Sequence, residues 1–183
     1  LLWKMKPDAK VLVMAPNRDI CAHWRREYHS FVQFHYRPAD HCVKNGVDGG
    51  PVQSIQMCSR LEELATAVEE GAGHLYLTTI YALSGLVPAE KKGGDSIKIA
   101  KENALKIHDR IKNALGGVGF DLIIVDEAHY FRNRDGGSQR VNAAEAFFGT
   151  PDARLSDKAL LLTATPSHTQ LNDVHNILGY FVD

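Results

Sequence analysis

The chain has 183 residues, 44% hydrophobic and 23% charged, with a formal net charge of -1. That is enough for one domain with a full core, and too balanced for a polycation, so any nucleic-acid contact must be local to one face. No apolar run is long enough to cross a bilayer, and Cys21, Cys42 and Cys58 form no CxxC pair, which excludes a disulfide framework and fits a reducing, intracellular setting.

In chain order, Leu1-Leu2-Trp3 reads as the tail of a helix, and the chain as a piece of a longer protein. Val11-Leu12-Val13-Met14-Ala15 is an apolar strand closed by Pro16, after which Asn17 or Asp19 can cap a helix. Ile20, Trp24, Tyr28 and Phe31 fall at helical spacing and are expected to face a sheet, with Trp24 read as core. Cys21 on the same helix reads as a small buried hydrophobe. Residues 32–58 are Gly-rich and hold a possible strand at 52–57. His35, His41, Cys42 and Cys58 in this stretch lack zinc-ligand spacing. Arg60 to Glu70 reads as a helix with Leu61, Leu64, Ala65 and Val68 on one face and Gly71 as its stop. Leu75-Tyr76-Leu77-Thr78-Thr79 is the next strand.

Residues 85–118 read as a helical insertion, with Asp95 or Ser96 as cap, Ile97, Ala100, Ala104, Ile107, Ile111 and Leu115 as its stripe, and Gly116-Gly117 as its end. A polar loop at 132–137 and a helix from Gln139 to Phe148 come later. Ala159-Leu160-Leu161-Leu162-Thr163 is predicted as another buried strand, and a last helix spans about 172–181. Strands alternating with helices predict an α/β fold with a mostly parallel sheet covered on both faces.

The most informative stretch is Phe120-Asp121-Leu122-Ile123-Ile124-Val125-Asp126-Glu127-Ala128-His129. Its apolar, β-branched part reads as a buried parallel strand, and chemistry in such sheets sits just past the carboxyl ends of the strands. Two acids therefore arrive where a metal and a phosphate are handled. Nucleoside triphosphate hydrolysis asks a protein for little beyond a placed Mg²⁺ and an aimed water. Asp126 suits Mg²⁺ through a bound water, and Glu127 suits accepting a proton from the attacking water. His129, on the same turn, is placed to hydrogen-bond a hydroxyl on a neighbouring strand, with Thr163 and Thr165 as the candidates. That link would let the nucleotide site sense another site.

Asp126-Glu127-Ala128-His129 and Thr163-Ala164-Thr165-Pro166 resemble motifs II and III of superfamily 2 helicase-like ATPases, the first being a DEAH box. Val11 to Pro16, followed by Trp24 and Glu27, resembles their motif Ia, and Leu75 to Thr79 with Leu83 resembles the region near motif Ib. The wording from Asp126 to Asn133, then Ser138 and a helix, then Leu160 to Pro166, is similar to the Swi/Snf-type DNA translocases, with restriction motor subunits close behind. The resemblance implies that 1–183 is a partial first RecA-like lobe, a three-layer sandwich incomplete at its N-terminus, with ATP and Mg²⁺ as cofactors and a second RecA-like lobe as partner. It implies double-stranded DNA, or alternatively RNA, as the track, and Pro16, Asn17, Arg18, Thr78 and Thr79 as its phosphate contacts. Arg132, Asn133 and Arg134 are either further contacts or solvated. A third reading, from another class, is a non-catalytic nucleic-acid or protein-binding module derived from this fold.

Two departures matter. Thr169 stands where the Swi/Snf-type group usually has Asn, and no GxxxxGK[ST] loop occurs in the chain. In the family that loop precedes motif Ia, so it is expected before Leu1, and the second lobe with its arginine finger after Asp183. Without that loop a phosphate-binding lysine and a Mg²⁺-binding hydroxyl are lacking. The purified chain is therefore predicted not to hydrolyse ATP measurably, and robust DNA-stimulated turnover by it would overturn this.

Overall fold

In a computed structural model, which describes residues 2–6, 8–35, 54–87, 96–132, 139–164 and 171–181, five strands form one sheet in the order β2-β3-β1-β4-β5. The strands are β1 (Val11–Ala15), β2 (Ile55–Met57), β3 (Leu75–Thr79), β4 (Leu122–Asp126) and β5 (Ala159–Leu162), and every pairing between them is parallel. The α-helices are α1 (Leu2–Met5), α2 (Arg18–His35), α3 (Leu61–Glu69), α4 (Ser96–Ala114), α5 (Gln139–Phe148) and α6 (Leu171–Leu178). This is the α/β architecture, with an all-parallel sheet, that the alternating strands and helices predict.

β1 is buried along its whole length, as its unbroken apolar run requires of a central strand. Its side chains divide between two unequal cores. Leu12 and Met14 join the larger core, which α3, α4, α5 and α6 build around Tyr76, Ile111, Phe131 and Phe147. Fully burying side chains of this size stabilises by about 1.5–3 kcal/mol each. Val11, Val13 and Ala15 join the smaller core, covered by Leu2, Trp3, Ile20, Trp24 and Tyr28 of α1 and α2.

That imbalance corrects two expectations. β4 is not buried throughout: Ile123 and Val125 are, while Leu122, Ile124 and Asp126 on its other face are half-exposed. Leu122 and Ile124 line an apolar groove of about 390 Å³ that α1 and α2 border but do not fill. β5 is an edge strand rather than a buried one, and Leu160 is 45% exposed. Phe31, expected to face the sheet, lines the same groove and is 49% exposed there.

The helix ends follow their sequence signals. Asn17 caps α2 by accepting the Ile20 N–H on Oδ1 at 3.0 Å. Gly71, at φ +63°, closes α3: its N–H reaches Val68 O and the Ala72 N–H reaches Ala67 O. Gly116 and Gly117 close α4 in the same paired pattern, onto Asn113 O and Lys112 O. The helix expected within 85–118 therefore forms, and its buried Ala100, Ala104, Ile107 and Ile111 belong to the larger core. Strand positions 52 and 53, the capping Asp95 and the loop at 91–94 lie outside the described residues.

At the amino ends of the strands, Asp121 ties three elements together. Its Oδ2 accepts the Lys10 N–H at 2.8 Å, and its Oδ1 pairs with Lys6 Nζ at 2.7 Å. Burial works against the charged Asp121, but the Lys6 ammonium and the Lys10 N–H outweigh it and hold the acid below its ordinary range. A lowered folded-state pKa stabilises above the unfolded value, near 4, and that stability is lost as pH falls through the folded value. The stability gap between the wild type and Asp121→Asn, measured by urea unfolding, is thus predicted to be largest above about pH 5 and to shrink below about pH 4. A gap unchanged from neutral pH to pH 2 would contradict this.

Candidate functional site

The parallel register sets the site. Val11 pairs with both Leu75 and Leu122, so β1, β3 and β4 run level and deliver Pro16, Thr79 and Asp126 to one edge of the sheet. There the chain turns sharply after Asp126. Glu127 adopts the left-handed conformation at φ 55°, ψ 51°, alone in this among the described non-glycine residues. A side chain held there costs about 1–3 kcal/mol, tolerated only where surroundings enforce it. They do so here: Ala128 and Phe131 of the following 3-10 helix are buried in the larger core, and the Tyr130 N–H returns to Glu127 O at 3.1 Å.

The strained turn swings the Glu127 carboxylate onto His129, whose Nδ1 lies 3.0 Å from Glu127 Oε2 and 3.3 Å from Thr163 Oγ1. A carboxylate only accepts, so Nδ1 carries the hydrogen and donates to Glu127 over the shorter distance, with Thr163 as the weaker partner. The strand-to-strand histidine link expected from the sequence is therefore present at Thr163, which follows β5, while Thr165 lies outside the described residues. The His129 ring stacks on Tyr130 with centroids 4.7 Å apart. Tyr130 meets Tyr81 edge-on, and Arg140 packs its guanidinium on both rings, 5.7 and 5.9 Å from their centroids. The Arg140 Nε is buried without a hydrogen bond, and the two ring faces are its compensation.

Asp126 stands apart from this network. Its Oδ2 accepts the indole N–H of Trp24 at 2.9 Å, and its carboxylate makes no other hydrogen bond or ion pair to described residues. The sequence reading took Trp24 as core, and its ring does pack on the smaller core, but the N–H is spent on the acid. An anionic, half-exposed carboxylate with an oxygen to spare fits Mg²⁺, which takes one or two carboxylates and keeps its waters. Among the described residues no three His, Cys, Asp or Glu side chains form a metal cluster, and binding of that kind needs none. Burial pushes the Cys21 and Cys58 thiols up to about 11, which leaves both protonated at neutral pH and unsuited to bind metal. His41 and Cys42 lie outside the described residues.

Beside the acids, the same sheet edge opens into a cleft of about 750 Å³. Arg18 and Thr79, both expected from the sequence, line it together with Ser59, Arg60, Tyr81 and Asn103, which were not; Glu62 and Glu63 also border it. Their signal was absent because they come from three separate elements that only the fold brings together. Asn17 and Arg18 are exposed and Pro16 half-exposed. Thr78 behaves otherwise: it is fully buried, and its hydroxyl donates to Cys58 O at 2.9 Å, so its side chain supports the strand and does not face the cleft. Arg132 is held at the back, its carbonyl accepting from Asn176 of α6, while Asn133 and Arg134 lie outside the described residues. No helix among the described residues is long and apolar enough to cross a membrane.

The backbone at Glu127 yields a stability prediction. Glu127→Val places a β-branched residue in the left-handed region and should lower unfolding stability by about 1–2 kcal/mol, whereas Glu127→Asn should be near neutral. Equal melting temperatures for the two variants would contradict the geometry.

No curated protein matches the chain. The family described as "Type III restriction enzyme, res subunit" matches residues 1–168, which include the acidic turn, the cleft and Thr163. The chain thus belongs to this superfamily 2 helicase-like family, whose members are nucleic-acid-dependent, ATP-hydrolysing motors.

Proposed function

We propose that the chain forms part of the first, ATP-handling lobe of a motor that couples ATP hydrolysis to movement along double-stranded DNA. The observation that carries this reading is the triangle of Glu127, His129 and Thr163 at the sheet edge, beside a lightly held Asp126. ATP with Mg²⁺, when bound, supplies the phosphoryl group and the charge that stabilises its transfer. Asp126 would hold the ion through a water. Glu127 would orient the attacking water and accept its proton. His129 fixes the Glu127 carboxylate from one side and leans on Thr163 from the other, so a shift of the chain after β5 is felt at Glu127. Thr165 is proposed for the same coupling on its motif position alone.

For the nucleic acid, Arg18 and Thr79 offer a guanidinium and a hydroxyl in the cleft, and the exposed Asn17 adjoins them beside Pro16 at the N-terminus of α2. Such groups bind phosphates without reading sequence. We assign Thr78 a supporting role. Of the two motor types, the restriction subunit is favoured over the Swi/Snf-type translocase by the family match and by Thr169 in place of Asn. A second lobe closing over the same edge is part of the proposal.

The test uses a form of the protein that carries a phosphate loop. Glu127→Gln is expected to reduce DNA-stimulated hydrolysis by about a hundredfold or more while ATP still binds. Arg18→Ala should lower the slope of log affinity against log salt by about one ion. Unchanged turnover in the first variant would reject Glu127 as the base. ATP-dependent DNA cleavage would support the restriction reading, and translocation without cleavage the Swi/Snf-type one.

A further inference from the structure

We infer that Trp24 is a positioning residue for the metal-binding acid: its indole N–H fixes the Asp126 rotamer while leaving the carboxylate's full charge for a divalent cation. The inference rests on the assignment of Asp126 to Mg²⁺ made above, and adds a residue which that assignment does not require. The 2.9 Å bond from Trp24 Nε1 joins positions 102 residues apart in sequence, so only the fold makes it.

The chemistry of the donor matters. An ammonium or guanidinium at this place would hold the carboxylate equally well, but it would neutralise the charge and compete with the cation. An indole N–H is neutral and can only donate. It occupies one lone-pair direction of Oδ2 and leaves the acid anionic. No Lys or Arg among the described residues pairs with Asp126, whereas Asp121 at the opposite end of the same strand pairs with Lys6. Two aspartates thus bracket one strand with opposite treatment, Asp121 ion-paired for structure and Asp126 without a cationic partner among the described residues.

Trp24 is also rigidly mounted. It rides α2, which is capped by Asn17 and pinned by buried Cys21, whose thiol donates to Thr78 O at 3.3 Å. A tryptophan has only two side-chain torsions, and here packing on the smaller core fixes the ring. Groups of this kind, which orient a ligand without touching the metal, typically change metal affinity by 10–100-fold when removed.

Indole resonances and Mn²⁺ binding test the inference in the chain itself, which has two tryptophans, Trp3 and Trp24. Trp3 donates to Ala9 O at the far end of the strands, about 15–20 Å from Asp126, and serves as the internal control. Asp126→Ala is expected to shift the Trp24 indole proton and leave that of Trp3 in place. Mn²⁺ should broaden the Trp24 resonance before that of Trp3, and Trp24→Phe should weaken Mn²⁺ binding about tenfold or more. If Asp126→Ala leaves Mn²⁺ affinity unchanged, the metal role of Asp126 fails and the inference with it. If Asp126→Ala abolishes binding but Trp24→Phe binds as the wild type does, the inference alone fails. A Trp24 indole resonance unmoved by Asp126→Ala overturns it without any need for the Trp24 variant to fold.

Discussion

The level parallel pairing of β1 with β3 and β4 is the constraint on which everything else depends. Three strands that start together end together, and so three unrelated chain turns meet at one edge. A slip of β4 by one residue would turn Asp126 to the opposite face of the sheet, away from Trp24. Asp121 guards against that slip from the other end, since its bond to the Lys10 N–H requires β1 and β4 to begin in step. The strand that leads into the acidic turn is thereby registered by an acid five residues upstream of Asp126.

The site is built from two mechanical parts. One is stiff: Asp126 hangs from Trp24 on α2, a helix seated on β1 and β3. The other is linked: Glu127 leans on His129, which reaches Thr163 beyond β5 and stacks on Tyr130, and Tyr130 meets Tyr81 in the cleft. Ordinary van der Waals and hydrogen-bond contacts thus run from the cleft to the carboxylate. In the proposed motor, the acid assigned to the metal would stay still while the acid assigned to the water would answer to the track.

Most of the fold was legible because its signals were local. The apolar run of β1, the cap at Asn17 and the glycine stops at Gly71 and Gly116 each act within a few residues of themselves. The acidic turn was legible for the same reason, being written in consecutive residues. The degree of burial was not. β4 and β5 have equally apolar sequences, but their exposure depends on what covers the sheet, which no window of sequence contains. Thr78 and Thr79 are neighbours of one residue type, yet they alternate sides, and only Thr79 reaches the cleft. The helical spacing of Trp24 correctly announces a packed ring but is silent about the indole nitrogen, whose partner lies more than a hundred residues away.

The left-handed backbone at Glu127 also bears on how such chains age. Glycine and asparagine sit at that φ with little or no strain, whereas a glutamate there holds a strained backbone. Mutation in a copy relieved of the proposed catalysis would admit glycine or asparagine at this position early, because neither strains the backbone there. On the reading proposed above, glutamate is retained in this strained slot because hydrolysis uses it, and a binding module that had shed hydrolysis would have little reason to carry it.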